Sequence, residues 1–401
     1  MWLYGSRVAE LTTRGRPGEV ICRYTDDARH RWPANTPLLS CALPLVAKAA
    51  QAGVFFRGLL PEGHHRQALA DQAGVATYDT FGLLARYGRD VAGALVIAAE
   101  DPADRPGEVE PYTAADLEAE VEDLPDRPLG IHDDSELSLA GIQDKLLLVD
   151  LGGGRWGRPV HGRPSTHILK AEDRRYPGMV EMEAACLSLA RHAGLTTIDP
   201  VVETFAGNPC VIVNRFDRHL DSAGGLVRIH QEDACQALAR DPDAAHGRGK
   251  YQRAGGPALA EIGALLDRFS LDAVSELTRL VRVVTFNVLI GNADAHGKNL
   301  ALLHDPAGGV TLAPLYDLVP TVMWPRLRRE AAMAVNGVED IDAIRVADVA
   351  AEAGRWPLDR ALAHDAAVAA ADDTLAALAS VAVPAELADS VAERAQAFLS
   401  R

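Results

Sequence analysis

Asp294, His296 and Asn299 stand close together in the middle of FNVLIGNADAHGKNLALL, residues 286–303. Apolar runs flank this polar cluster, and polar groups buried without partners cost free energy, so the cluster is either a solvated turn or a site. Phosphoryl transfer needs an Asp to orient or deprotonate an attacking hydroxyl and, a few residues on, an Asn oxygen to hold Mg²⁺. Asp294 and Asn299 have that D-x-x-x-x-N spacing. Downstream, LAPLYDLVP presents Asp317 after a short apolar strand, where a second acidic metal ligand would stand. Mg²⁺ takes a few carboxylate and amide oxygens plus substrate phosphates, so Asn299 and Asp317 suffice without a protein cage. On the loop alone, an Asx-rich turn between two helices, with Asp317 capping the next element, weighs about equally.

Three further stretches bear on the choice. SLAGIQDK, Ser138 to Lys145, precedes a strand; Gly141 lets backbone N–H groups approach a phosphate, and Ser138 and Ala140 are small. It matches neither common glycine-rich pattern, so by itself a β-turn is the stronger reading. Lys170 ends the strand THILK, as does the strand lysine that contacts α/β-phosphates in kinases, and Glu183 on the following helix is its ion-pair candidate. A surface lysine is the usual alternative, but only five of the 40 basic residues are lysines (48, 145, 170, 250 and 298). A chain that uses arginine almost everywhere keeps lysine where a compact ammonium is needed. Finally VNRFDRH, with Arg215, Phe216 and Asp217, lies where an adenine-binding hinge belongs, and reads equally well as a strand end with solvated charges. HQEDACQ reads as the capped start of a helix, and HGRGKYQRAGG as a mobile loop.

The elements that must position these residues follow from periodicity. Residues 1 to about 100 mix short strands with helices, FFRGLLPEGHHRQALADQAG reading as a turn and an amphipathic helix. From Asp101 to about Asp134 the chain is rich in Asp, Glu and Pro, a connector with one short helix, TAADLEAEVED. KLLLVD, RWGRPV and THILK read as strands, VEMEAACLSLARHAG as a helix ending at Gly194, and PVVETFAGNPCVIVNRF as a hairpin. After Arg218 the pattern turns helical, closing with an Ala-rich tail from 331 to 401.

At 401 residues and 48% hydrophobic, two or three lobes are expected. Lys48 and Asn287 break the best apolar windows, and the first residues lack a basic, then apolar, leader, so a soluble cytoplasmic protein without membrane contact is expected. The five cysteines (22, 41, 186, 210 and 235) show no CxxC pairing and fit reduced thiols. A net charge of -16 disfavours direct binding to nucleic acid, and Arg326, Arg328 and Arg329 form only a local basic patch.

Glycine loop, strand lysine, helix glutamate, hinge, D-x-x-x-x-N and second Asp occur in the order of a bilobal kinase. With IHQEDACQAL, GKYQRAGGP, MAVNG and the N-terminal FFRGLLPEGHHR and FGLLARYGRDVAGAL, they resemble the HipA family of serine/threonine kinases, toxins of HipBA-type toxin–antitoxin modules. The resemblance runs from near residue 1 to about 340. It implies an α+β, bilobal protein-kinase-like fold with a small α+β N-terminal domain and connector (1–127), an N-lobe-like sheet with one helix (128–217) and a mostly helical C-lobe (218–401). It implies ATP- and Mg²⁺-dependent phosphorylation of a protein serine, family targets being aminoacyl-tRNA synthetases. Asp294 is then the catalytic base, with His296 and Lys298 beside it in less defined roles, and Asn299 and Asp317 hold Mg²⁺. Leu139, Ala140, Gly141, Ile142, Gln143, Asp144 and Lys145 form the phosphate loop, Lys170 contacts ATP, and Ser138 matches the autophosphorylation site. The implied partner is a small helix-turn-helix antitoxin (HipB-like) that would supply the DNA contact. Ile142 and Asp144 stand where related loops often have Ala and Glu. Rival readings are a small-molecule phosphotransferase, a partner-binding pseudokinase, and a metal hydrolase using Asp294 and His296, which lacks further ligands nearby.

Overall fold

KLLLVD is apolar at almost every position because both faces of its strand are covered. In the computed structural model, which describes every residue except Pro17, Ile142, Ala223, Ala307 and Arg401, this stretch is the strand Lys145–Asp150. Leu147 packs into the core of the N-terminal region with Leu59, Leu60 and Leu137. Leu146 and Leu148 face the other way, onto Leu117, Val121 and Leu124. Each such leucine contributes roughly 1.5–3 kcal/mol of burial, so a polar substitution on either side would loosen the strand.

That strand is central in a six-stranded sheet ordered Val201–Phe205, Asn208–Asn214, His167–Ala171, Lys145–Asp150, Trp156–Val160, Glu108–Pro111. THILK pairs antiparallel with it, placing Lys170 directly opposite Lys145. The expected hairpin forms, turned at Ala206 and Gly207, both at positive φ (49° and 79°), as a tight hairpin requires. The acidic connector carries its helix, Ala114–Asp123, started by a Thr113–Asp116 capping box. It is more than a connector, however: Glu108–Pro111 adds the edge strand beside Trp156–Val160. In the N-terminal region the turn and helix of FFRGLLPEGHHR appear as Gly53–Arg57 and Gly63–Ala73, the latter ended by Gly74 at φ 65°.

The chain divides into two compact units: residues 1–173, 203–232 and 303–308, and residues 174–202, 233–302 and 309–401. In the second, the helix Ala273–Ile290 packs against Leu259–Phe269, Arg360–Ser380 and Ala385–Leu399. The Ala-rich helix Arg360–Ser380 buries Ala363, Ala367, Ala370 and Ala371, small residues that permit close approach. Residues 180–194 give the helix Met179–His192, also in this unit.

The expectation of a mainly helical pattern after Arg218 is corrected in part. Arg218–Leu220 and Leu226–Arg228 form a hairpin, His230–Asp233 is a strand that runs directly into the short helix Ala234–Ala237, and the tail opens with the hairpin Glu330–Val335 and Val338–Asp340. Its Asn336-Gly337 turn, with φ of 53° and 81°, is the Asn-Gly signal typical of a two-residue hairpin, outweighed in the sequence by the alanines around it. Among the described residues no helix is long and apolar enough to cross a membrane.

Candidate active site

The polar cluster that interrupts FNVLI and LALL is built by the end of a helix. Ala273–Ile290 stops at Gly291, whose φ of 73° suits glycine and whose Cβ, if present, would fall on Val322. Beyond it Asn292 donates to Asn287 Oδ1 (2.8 Å), and Asn287 donates to Val283 O (3.0 Å), so these buried amides shape the turn. Asp294 N donates to Asn292 Oδ1 (3.2 Å). The Asp294 carboxylate is half-buried and accepts from the Tyr251 hydroxyl at 2.7 Å. His296 packs edge-on against the Tyr251 ring, centroids 5.2 Å apart.

The loop then closes on itself. His296 N donates to Asp294 O (2.7 Å), and Asn299 N to His296 O (2.8 Å). Asn299 Nδ2 donates to Asp294 O (3.3 Å), which leaves Oδ1 as the oxygen a hard cation would take. Lys298 Nζ forms a buried ion pair with Asp233 Oδ2 at 2.9 Å, and its carbonyl accepts from the Tyr316 hydroxyl (2.6 Å). Next to Tyr316, Asp317 sits at φ 57°. A non-glycine residue in this region is strained by about 1–3 kcal/mol and persists where the surroundings impose it, often at functional sites. An amide oxygen and a carboxylate are the donor set that suits Mg²⁺.

Two residues outside the motif matter here and were not singled out from the sequence. Tyr251 lies in the segment expected to be a mobile loop, which instead is held by Tyr251 to Asp294, by Gln252 accepting from Ala334 N (2.8 Å) and by Gly297 N donating to Lys250 O (3.1 Å). Asp233 caps the short helix Ala234–Ala237 in a capping box with Gln236, as the capped-start reading has it, and also pairs with Lys298. Both partnerships join residues far apart in the chain, so no local pattern announces them.

The first unit carries the residues expected to form a phosphate loop. Ser138 is fully buried; its hydroxyl donates to Leu59 O (3.1 Å) and its N–H to Asp90 O (2.9 Å). Lys145 Nζ donates to Ala140 O at 2.7 Å, and Glu62 N donates to Gly141 O at 3.3 Å. Asp144 Oδ1 meets His65 Nε2 at 2.8 Å. Leu139, Ala140, Gln143 and Asp144 are part-exposed, and Ile142 lies outside the described residues. Lys145 and Lys170 are both buried and directly opposite across the strand pair, so their side chains share one face. Glu183 is buried on the Met179–His192 helix of the second unit.

Gly141 gives a direct test of this loop. Its φ of 118° is closed to L side chains, and a Cβ would fall on Lys145 Nζ. The ammonium can swing aside but the backbone cannot, so Gly141→Ala should strain the loop by about 1–3 kcal/mol. We expect ATP affinity to fall roughly 5- to 150-fold in a calorimetric titration, with the circular dichroism spectrum unchanged. Unaltered affinity would remove the loop from nucleotide binding.

The hinge residues have a different occupation. Arg215 and Asp217 are buried, their side chains bidentate to each other (2.9 and 2.8 Å). Arg215 also donates to Ser165 Oγ and Val91 O, and Asp217 accepts from Gly93 N and Gln231. Any contact with a nucleotide here falls to the main chain or to the part-exposed Phe216.

Family models for a HipA N-terminal domain and a HipA-like C-terminal domain match residues 1–98 and 137–382. The chain is 38% identical over 351 residues to Y4mE of Sinorhizobium fredii, covering 84% of this chain and 80% of that one. It is 30% identical over 358 residues to the serine/threonine-protein kinase toxin HipA of Shewanella oneidensis, covering 86% and 80%. The solved Shewanella oneidensis HipA, in complex with HipB and its operator DNA, superposes with a TM-score of 0.80 at 27% identity, over 98% of this chain and 93% of that one.

Proposed function

The chain belongs to the HipA family of kinase-type enzymes, with its α+β kinase-like fold, and on that premise we propose that it transfers the γ-phosphoryl group of ATP to a serine or threonine hydroxyl of a protein. The observation that carries the reading is the Asp294 carboxylate, fixed at 2.7 Å by the Tyr251 hydroxyl in a loop that Asn299 closes. Asp294 takes the proton of the attacking hydroxyl as its oxygen bonds to the γ-phosphorus and the bond to the leaving oxygen of ADP breaks. Asn299 and Asp317 would hold Mg²⁺, which when bound neutralises charge on the β- and γ-phosphate oxygens. Lys145, Lys170 and the main chain of residues 139–145 bind and orient the phosphates. The segment from Arg215 to Asp217 borders the adenine. Asp233 holds Lys298, and His296 packs on Tyr251, so both keep the loop in place.

The wider reading is that of a toxin acting in the cytoplasm on a component of translation such as an aminoacyl-tRNA synthetase, restrained by a HipB-like helix-turn-helix antitoxin. Its net charge of -16 supports a partner, rather than this chain, as the DNA-contacting subunit. The functional domains run over 1–127, 128–217 and 218–401.

Autophosphorylation on Ser138 tests the chemistry. Ser138 is 0% exposed and its hydroxyl is engaged, so a phosphate there requires the segment to leave its seat. Intact-mass and peptide mass spectrometry after incubation with Mg²⁺ and ATP should find one added phosphate, on Ser138. Ser138→Ala should abolish it, and Asp294→Asn should not acquire it. ATP binding without any added mass, in protein shown to be unmodified at the start, would favour a pseudokinase. Transfer to small hydroxylated acceptors alone would favour a small-molecule phosphotransferase.

A further inference from the structure

Away from the phosphotransfer residues, within the first unit, Cys41, Glu232 and His304 bring one thiol, one carboxylate and one imidazole together, with ligand atoms all within 4.8 Å of one another. Glu232 is 1% exposed and His304 4%. The hydrogen bonds around them are unusual. His304 Nδ1 lies 2.7 Å from Pro37 O, which can only accept, so Nδ1 carries the hydrogen. In the neutral ring Nε2 is then a lone pair, yet it faces Glu232 Oε1, another acceptor, at 3.1 Å. Glu232 Oε1 already accepts from Cys41 N at 2.7 Å, while Oε2 is buried with no hydrogen-bond partner. Something positive between the two acceptors would satisfy both.

We propose that Cys41 Sγ, His304 Nε2 and a Glu232 carboxylate oxygen form a binding site for a borderline transition-metal cation of the Zn²⁺ type. An imidazole whose Nδ1–H is fixed on a backbone carbonyl, with Nε2 turned to the cation, is the usual arrangement of a metal-bound histidine. Tetrahedral Zn²⁺ with N and O ligands at about 2.0–2.1 Å separates those ligands by about 3.3 Å, close to the 3.1 Å found here. A thiolate completes a donor set that a hard cation such as Mg²⁺ would not select. On binding, the Cys41 S–H bond is replaced by an S–metal bond and the proton passes to solvent. Water takes the fourth position. The cation would tie the segment around Cys41 to the strand residue Glu232, which immediately precedes Asp233, the partner of Lys298.

The test needs neither ATP nor activity. Purified full-length protein, stripped with chelator, is titrated with Co²⁺ as a spectroscopic probe and with Zn²⁺ in competition. We expect about one Co²⁺ per chain, a thiolate-to-cobalt charge-transfer band, and its loss on adding Zn²⁺. Cys41→Ala should abolish the band, and Cys41→Ala and His304→Gln should each weaken binding by about 10-fold or more. Because either variant could lose its fold, the unaltered protein is also alkylated with iodoacetamide. Cys41 is only part-buried, whereas the other four cysteines are buried, so Zn²⁺ should slow its alkylation selectively, read by peptide mass spectrometry. No band and unchanged alkylation would overturn the proposal in favour of a metal-free imidazolium–glutamate pair. Unchanged Co²⁺ affinity in Cys41→Ala would also overturn it, moving the metal to another cluster such as His64, His65 and Asp144.

Discussion

Asp294→Asn is expected to slow phosphoryl transfer by about a hundred- to ten-thousand-fold while leaving ATP affinity nearly unchanged. The substitution conserves size, and an amide oxygen can still accept from the Tyr251 hydroxyl that holds the carboxylate at 2.7 Å. The surrounding turn is made by Asn292, Asn287 and backbone bonds, none of which uses the Asp294 carboxylate, so the loop should persist. What is lost is the ability to take a proton. Tyr251→Phe supplies the contrast: it keeps the carboxylate and removes only its anchor, so its cost should be smaller and should fall on kcat. Single-turnover transfer of labelled phosphate, beside a nucleotide-binding titration, separates the two effects. If Asp294→Asn keeps the wild-type rate, Asp294 is not the base and the loop is the Asx-rich turn that its composition also allows.

How far the sequence announced this site depends on the range of the interactions. D-x-H-x-x-N was legible because its parts lie within one turn, after a helix whose glycine stop is also local. Lys145 and Lys170 were legible through scarcity, in a chain that otherwise uses arginine. Tyr251 and Asp233 were not, because each meets its partner dozens of residues away and neither breaks a local rule. The strand His230–Asp233 was missed for a related reason. Its buried residues are His230, Glu232 and Asp233, with Gln231 part-exposed between the first two, so the alternation that marks a strand is there at its start, but written in polar residues that a hydrophobic pattern does not count. Arg215 and Asp217 show the converse. Two charged residues near a strand end looked solvated or ligand-facing, whereas they are buried against each other, the adjacent Arg218 and Asp90, the last contributed by a distant segment.

Asp90 carries the largest expected stability effect. It is fully buried; Oδ1 accepts from Arg218 (2.9 Å), and Oδ2 accepts from Ser165 N (2.8 Å) and Ser165 Oγ (2.7 Å). Arg215, Arg218 and Arg228 stand around Asp90 and Asp217, so these five residues together hold more positive than negative charge. Asp90→Asn leaves the buried guanidinium groups with one carboxylate, and breaking such a network costs about 3–5 kcal/mol. The pH dependence identifies the cause. Burial by itself pushes the Asp90 carboxyl up, but the arginines and the Ser165 N–H outweigh it and hold the carboxyl below its ordinary range. Asp217 is lowered in the same way, burial being overcome by Arg215 and Arg218. A carboxylate with a depressed folded pKa stabilises the fold above its unfolded value of about 3.9, and that stability is lost as pH falls through the folded pKa. The gap between wild type and Asp90→Asn, measured by denaturant unfolding, should therefore be full at neutral pH and should narrow below about pH 4, as wild type loses what the variant already lacks. A gap that stays constant on acidification would mean that packing, not charge, is what Asp90 contributes.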